Sequence, residues 1–259
     1  MISKDKLLKE INFFNNLSFI RSRFFILTQQ WYWFDYILKG FLEELIKKEC
    51  VNKKVLDYCC GDADMSFRIA QLGASEVIGI DISEVLIETR LKSLKKDIDK
   101  KCKFFVMNAE RLEFPDNYFD LIYENGALHH LDLNLAYQQL NRVLKPQGKV
   151  ICIEPLRYNP IINLYRRFTP QLRTEWEARH ILDKKDINLA KKYFKEVEIV
   201  AFFHLLSILA IIFLNTPLFS YTQRLLSLFD EFLLKLPGIK WLSWQVVFIL
   251  SKPIKDNDL

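Results

Sequence analysis

Residues 54–83 read KVLDYCCGDADMSFRIAQLGASEVIGIDIS. Their pattern is a buried strand, a tight turn, a short helix and a second buried strand. The first strand ends on Asp57 and the second on Asp81, with Gly61 in the turn between them. Two carboxylates and a small-residue turn at adjacent strand ends describe a nucleoside crevice in an open parallel sheet.

Outward from this stretch, strand and helix patterns alternate. A stripe of Ile87, Leu91, Leu94 and Ile98 follows a capping Ser83 and predicts a helix. Lys103–Met107, Phe119–Tyr123 and Val150–Ile153 read as the third to fifth strands, with a helix at Leu133–Leu144 stopping at LysProGlnGly. Lys195–Phe203 and Gln245–Ser251 read as the sixth and seventh. Such alternation means crossover units and a parallel sheet. Four strands ending at Asp57, Asp81, Asn108 and Glu124 mark its ligand-binding edge.

The fold class is therefore α/β: a Rossmann-like seven-stranded sheet with helices on both faces. Residues 1–50 are expected to form an N-terminal helical lid and 51–259 the sheet domain, with an apolar helical insertion between strands 6 and 7. Phe34, Ile37, Leu38, Phe41, Leu42 and Leu45 make one apolar helix face. That helix either packs on the sheet or forms a lid that brings Tyr32 or Trp33 into the crevice.

A turn for a dinucleotide needs G-x-G-x-x-G, and here Cys59, Gly61 and Asp64 stand at the glycine positions. Asp64 also puts negative charge where a pyrophosphate would approach a helix N-terminus. A nicotinamide oxidoreductase is disfavoured, and no P-loop is present. A cationic nucleoside is better served, with Asp81 accepting from both ribose hydroxyls and Asn108 meeting the adenine edge.

Five segments then resemble the class I S-adenosylmethionine-dependent methyltransferases: VLDYCCGDAD (55–64), GIDIS (79–83), NAERLEFP (108–115), FDLIYENGALHHL (119–131) and NRVLKPQGK (141–149). Cys59 and Ala63 stand where that family usually has Gly, and Asn108 where it usually has Asp. The resemblance implies S-adenosylmethionine as cofactor, held by Asp57, Tyr58, Cys59, Gly61, Asp81, Ile82, Asn108, Ala109, Glu110, Glu124 and Asn125. His129 and His130 follow the fourth strand and are candidate bases, since His titrates near working pH. The EPLRYNPIINLYRRFTPQLRT segment (154–174) opens an acceptor-side region spanning 156–190, with Glu154, Arg166 and Arg173 as candidate acceptor contacts alongside Tyr32 and Trp33.

Composition narrows the rest. A net charge of +5 over 259 residues, without clustering, gives no nucleic-acid face. Five Cys without metal spacing read as reduced thiols of a cytoplasmic protein, with no metal site expected. The start of the chain lacks signal-peptide features. From Ile199 to Gln223 no residue carries a formal charge, but Asn215-Thr216-Pro217 interrupts the run. Leu225, Leu228, Phe229, Phe232, Leu233 and Leu236 make a second stripe, so 204–240 is expected to be an apolar helical insertion. It would serve as a pocket wall, a homodimer surface or a peripheral membrane contact.

The expected activity is methyl transfer to an O or N atom of a small hydrophobic or amphipathic molecule. The alternatives are a membrane-associated binding protein of this fold without catalysis and a methyltransferase of a lipid or glycan.

Overall fold

The computed structural model describes residues 4–16, 36–93, 99–213 and 216–255. Tyr32, Trp33, Leu94 and Ile98 lie outside them. A seven-stranded sheet runs in the order β3-β2-β1-β4-β5-β7-β6. Its strands are β1 (Lys54–Tyr58), β2 (Glu76–Asp81), β3 (Cys102–Val106), β4 (Phe119–Asn125), β5 (Leu144–Pro155), β6 (Phe194–Phe203) and β7 (Gln245–Pro253). The first five are parallel, and β7 runs antiparallel between β5 and β6. The order reverses at β1, which has β2 on one side and β4 on the other, so a crevice opens there.

Ten helices or helical turns of note pack around the sheet or its ends. They include α1 (Lys4–Asn15), α2 (Tyr36–Cys50), α3 (Asp64–Gln71), α4 (Glu84–Ser93), α5 (Leu133–Val143), α6 (Pro160–Phe168), α7 (Glu175–His180), α8 (Lys184–Leu189) and α9 (Leu218–Leu233), with a 3₁₀ run at Ser207–Phe213. Alternation along each strand splits the core. Leu56, Tyr58, Ile78 and Ile80 pack with α5 and α8 on one face, while Val55, Val77 and Tyr123 pack with α2 and α3 on the other. The α2 face of Leu38, Leu42 and Ile46 is buried in that second layer, so this helix is part of the sheet domain.

Several boundaries differ from the periodicity for identifiable reasons. β5 begins at Leu144 because Phe119 pairs with it before the register shifts, so LysProGlnGly lies inside the strand as an irregularity. On α4 only Ile87 of the expected stripe is buried, and Leu91 is exposed. Ser83 does cap this helix, accepting from the Leu86 N–H at 3.3 Å. The first half of the apolar insertion is the 3₁₀ run rather than an α-helix. Among the described residues no helix is long and apolar enough to cross a membrane.

Asn159 locks the acceptor-side segment to the insertion. Its side-chain oxygen caps α6 by accepting from the N–H groups of Ile161 and Ile162, both at 3.0 Å. Its amide donates to the Leu242 carbonyl at 2.9 Å and, more weakly, to those of His204 and Leu205. Asn159→Ala removes a cap and leaves buried carbonyls unpaired, costing about 2–3 kcal/mol. A melting-temperature drop of about 5–10 °C by differential scanning calorimetry is the expected result.

Candidate active site at the strand ends

The turn after β1 supplies the first part of the site. Cys59, Gly61 and Ala63 all adopt left-handed backbone conformations, with φ of 59°, 52° and 60°. The two residues with a Cβ thus take the shape glycine favours, at about 1–2 kcal/mol each. Such strain persists where a function needs the turn. A Cβ built on Gly61 would meet nothing within 4 Å, so this side of the turn is open to a ligand.

Asp81 fastens the turn. Its two carboxylate oxygens accept from the backbone N–H of Gly61 and of Ser83, each at 2.9 Å. A carboxylate has about four acceptor sites, so capacity for a ligand remains. Burial pushes the Asp81 carboxyl up, against the hydrogen bonds from Ser83, Gly61 and Ile82.

Asp57 faces inward. It accepts from the Ser66 hydroxyl of α3 at 2.5 Å. Burial raises it to about 7, with Ser66 opposing and the negative charges of Asp62 and Asp81 adding to the rise. Arg90 donates to the Asp62 carbonyl and to the Asp64 carboxylate on the outer side of the same turn. The sign for stability follows. In the unfolded chain Asp ionises near 3.9, so between pH 4 and 7 the folded state holds a proton that the unfolded state has lost. Stability is therefore full below pH 4 and falls as pH rises through about 7, by on the order of 4 kcal/mol from this group. Asp57→Asn should flatten the fall in melting temperature between pH 5 and 8; an unchanged slope would contradict the assignment.

Around the β3 end, Tyr58 donates its hydroxyl to the Ala109 carbonyl at 2.8 Å. Asn108 folds back, its side-chain oxygen accepting from the Glu110 N–H. Glu110 accepts from Lys6 at 2.8 Å and from the Asp132 N–H at 2.7 Å. Ile82 is half-buried beside Asp81, and Asn125 is exposed at the end of β4.

α1 lies across these strand ends. Besides the Lys6–Glu110 pair, Glu10 meets His130 Nδ1 at 3.1 Å and Asn15 accepts from Ser83 Oγ at 2.7 Å. Phe14 packs edge-on against His130, and Lys6 sits over the Trp176 ring of α7. Burial would raise Glu10, but hydrogen bonds from His130 and Thr174 and the nearby charges pull it below the ordinary carboxylate range. Sequence reading did not single out Lys6, Glu10 or Asn15. The available signal was Lys6, Glu10 and Phe14 at four-residue spacing on one helix face.

The second part of the site is a buried acid–base cluster between β4 and β5. Glu124 and Glu154 are both fully buried. Glu124 accepts from the Ala127 N–H at 2.6 Å, and Glu154 from the Leu128 N–H at 2.6 Å. The second oxygen of Glu154 meets His129 Nδ1 at 2.6 Å. Burial and the charge of Glu154 hold Glu124 well above the usual carboxylate range. Its second oxygen has no donor, as suits a protonated carboxyl shared with its neighbour. Glu154 is raised to about 7 by burial, against hydrogen bonds from Glu124 and from backbone N–H groups. Glu124 thus lies beneath the 127–128 turn, and His129, also buried, meets Glu154 beside it.

Burial, Arg166 and Arg173 hold His129 neutral, down to about 3, with Glu10 opposing. Burial and His129 likewise push His130 down. Arg173 lies 3.6 Å from Glu177 and donates to the Thr169 carbonyl at 2.7 Å, while Arg166 donates to the Leu156 carbonyl at 3.2 Å. His129, His130 and Glu177 each place one potential ligand atom within 4.8 Å of the others. The surroundings carry both signs, with Arg166 and Arg173 acting on His129 and Glu10 and Glu177 acting on His130.

A methyltransferase-domain family model matches residues 55–148. The chain is 34% identical over 116 residues to a demethylmenaquinone methyltransferase of Lactococcus lactis, covering 44% of this chain and 45% of that one. It is 32% identical over 111 residues to a ubiquinone/menaquinone biosynthesis C-methyltransferase of Rickettsia bellii, covering 40% and 45%. The matches thus span about half the length of these curated relatives. Among solved structures, the geranyl diphosphate C-methyltransferase of Streptomyces coelicolor superposes with a TM-score of 0.56 at 14% identity, over 83% of this chain and 78% of the other. A protein from Pyrococcus horikoshii gives 0.53 at 22% identity, over 88% and 93%. Residues 55–148 thus carry a methyltransferase domain, set in the strand order and strand-end turn described above.

Proposed function

We propose that the chain methylates a small, hydrophobic, hydroxyl-bearing molecule, with His129 as general base and Glu154 as its positioning residue. The observation that carries this reading is the 2.6 Å contact between His129 Nδ1 and a fully buried carboxylate oxygen of Glu154. The ionised carboxylate can only accept, so it places the imidazole proton on Nδ1 and leaves a lone pair on Nε2. When Nε2 takes a proton from the acceptor hydroxyl, Glu154 stabilises the imidazolium that results. Arg166 and Arg173, whose charges are felt at His129, would stabilise the oxyanion left behind.

S-adenosylmethionine would be held by the 59–63 turn, by the remaining acceptor capacity of Asp81 toward the ribose and by residues 108–110 toward the adenine. The negative charge of Asp81 suits its cationic end. When bound, it supplies an electrophilic methyl group. The protein then has to align the acceptor and exclude water, and α1 over the strand ends serves the second need as a lid.

Sequence reading favoured O or N as the methylated atom, whereas the Rickettsia relative is named a C-methyltransferase. A phenolic oxyanion is nucleophilic at its oxygen and at its ring carbons, so the same deprotonation supports O- or C-methylation. It offers less to a neutral amine, which needs no such base. The test uses methyl-labelled cofactor with a panel of phenols, hydroxylated quinone precursors and amines, locating the label by NMR. Label on oxygen or ring carbon of a hydrophobic hydroxylated acceptor is expected. Label on amines alone would overturn the reading.

A further inference from the structure

The helix α9 is inside out. Leu218, Tyr221, Leu225, Leu228, Phe229 and Phe232 recur at three- and four-residue spacing and are 42–70% exposed. The opposite side carries Phe219 together with the buried polar residues Gln223 and Asp230. This is the reverse of an ordinary surface helix, whose apolar stripe faces the core. Of the three roles expected for the stripe, pocket wall, homodimer surface and membrane contact, the first does not fit, because the stripe points to solvent.

Asp230 fixes that orientation. Its buried carboxylate accepts from the backbone N–H groups of Leu205, Leu206 and Ser207 at 3.0, 2.7 and 3.1 Å, and from the Ser207 hydroxyl at 2.6 Å. Rotating the helix to bury its apolar stripe would break all four bonds and strip a buried charge of its donors. The exposed face is held in place by the fold.

The face extends beyond one helix. Phe219 and Leu226 of α9 share a small core with Ile162 of α6 and Ile208 of the 3₁₀ run. Outside that core, Leu164 and Phe168 of α6 and Ile212 of the 3₁₀ run are 57%, 73% and 72% exposed. The same α6 carries Arg166, whose charge reaches His129. The apolar surface thus continues to the element that borders the candidate site.

Charge selects the occupant. Residues 155–174 contain no acidic residue, and 204–255 contain only Asp230 and Glu231. Asp230 is buried and spent on its donors; Glu231 is exposed, against exposed Arg167, Arg224 and Lys235, so the exposed charge is net positive. A protruding apolar stripe with a basic surround matches the interface of a bilayer bearing anionic headgroups. A second copy would instead bring like charges together.

We propose that the outward face of α9, with the exposed ends of α6 and the 3₁₀ run, docks on an anionic lipid bilayer. The face lies in the interface without spanning it. Docking would set the acceptor-side segment at the membrane, where an apolar acceptor partitions. The inference does not depend on which atom is methylated, and its test requires no turnover.

The full chain is mixed with phosphatidylcholine vesicles, with and without phosphatidylserine, and sedimented. Binding to the anionic vesicles is expected, weaker without phosphatidylserine and weaker at high salt. Phe229→Ser/Phe232→Ser should reduce it by about tenfold or more. The thermal shift given by S-adenosylmethionine should stay unchanged, which shows that the variant is folded. Leu225→Ser/Leu228→Ser provides a second, independent pair. Failure of the wild type to bind either vesicle would overturn the proposal, as would wild-type binding by both double variants. Self-association of the wild type that these substitutions abolish, without vesicle binding, would assign the face to a second copy instead.

Discussion

Glu154→Gln is expected to lower kcat by about 10²–10⁴-fold while leaving the affinity for S-adenosylmethionine unchanged, the range removed with a positioned general base. The expected pH behaviour makes the prediction specific. Glu154 is raised to about 7, so below that pH it is protonated and can donate to His129 Nδ1. The imidazole proton then moves to Nε2, and the lone pair needed for proton abstraction is gone. Wild-type kcat should fall about tenfold per pH unit below 7 and level off above it. Burial already holds His129 neutral across that range, so the limb belongs to the carboxylate cluster and not to imidazole protonation. In Glu154→Gln the limb should disappear, because the amide has no proton to lose. His129→Gln should show the same loss of rate. A variant that keeps the wild-type limb would remove Glu154 from the mechanism.

Asp81→Ala should weaken S-adenosylmethionine binding by about a hundredfold or more. Two effects act together. The carboxylate would accept from two ribose hydroxyls, and each hydrogen bond to a charged acceptor is worth about 1.5–3 kcal/mol. Its loss also frees the Gly61 and Ser83 N–H groups that now bond to it, so the left-handed turn is no longer held. Asp81→Asn retains one acceptor and should fall between alanine and the wild type. Calorimetric titration measures all three, and near-wild-type affinity for alanine would refute the ribose assignment.

The sheet was legible because its evidence is local. Short apolar runs ending on Asp57, Asp81 and Glu124 gave strand position and polarity, and Ser83 announced the helix that it caps. The candidate site was partly legible for the same reason: its residues sit at strand ends. What sequence could not supply was the direction of a side chain across the fold. Glu124 and Asp57 share the strand-end pattern with Asp81, yet one turns beneath residues 127–128 and the other toward Ser66. The pairing of His129 with Glu154, 25 residues away, depends on β4 and β5 lying side by side.

α9 illustrates the other limit. Helical periodicity identifies an apolar stripe but does not say which way it faces. Here one buried carboxylate, Asp230, bonded to the 205–207 turn, settles the matter. Its signal in the sequence was one of two adjacent acidic residues, Asp230 and Glu231, in an otherwise apolar helix turn, which reads equally well as a solvated position. The residues of α1 that cover the strand ends pose a similar difficulty, since their partners are more than 65 residues distant.

The most direct test of the central claim is single-turnover transfer of labelled methyl to a hydroxylated aromatic acceptor, followed at pH 6 and pH 8 in the wild type and in Glu154→Gln. The wild type should transfer at least about tenfold faster at pH 8 than at pH 6, and the variant should be slow and independent of pH. Equal rates in the two proteins, with the same pH dependence, would contradict the account.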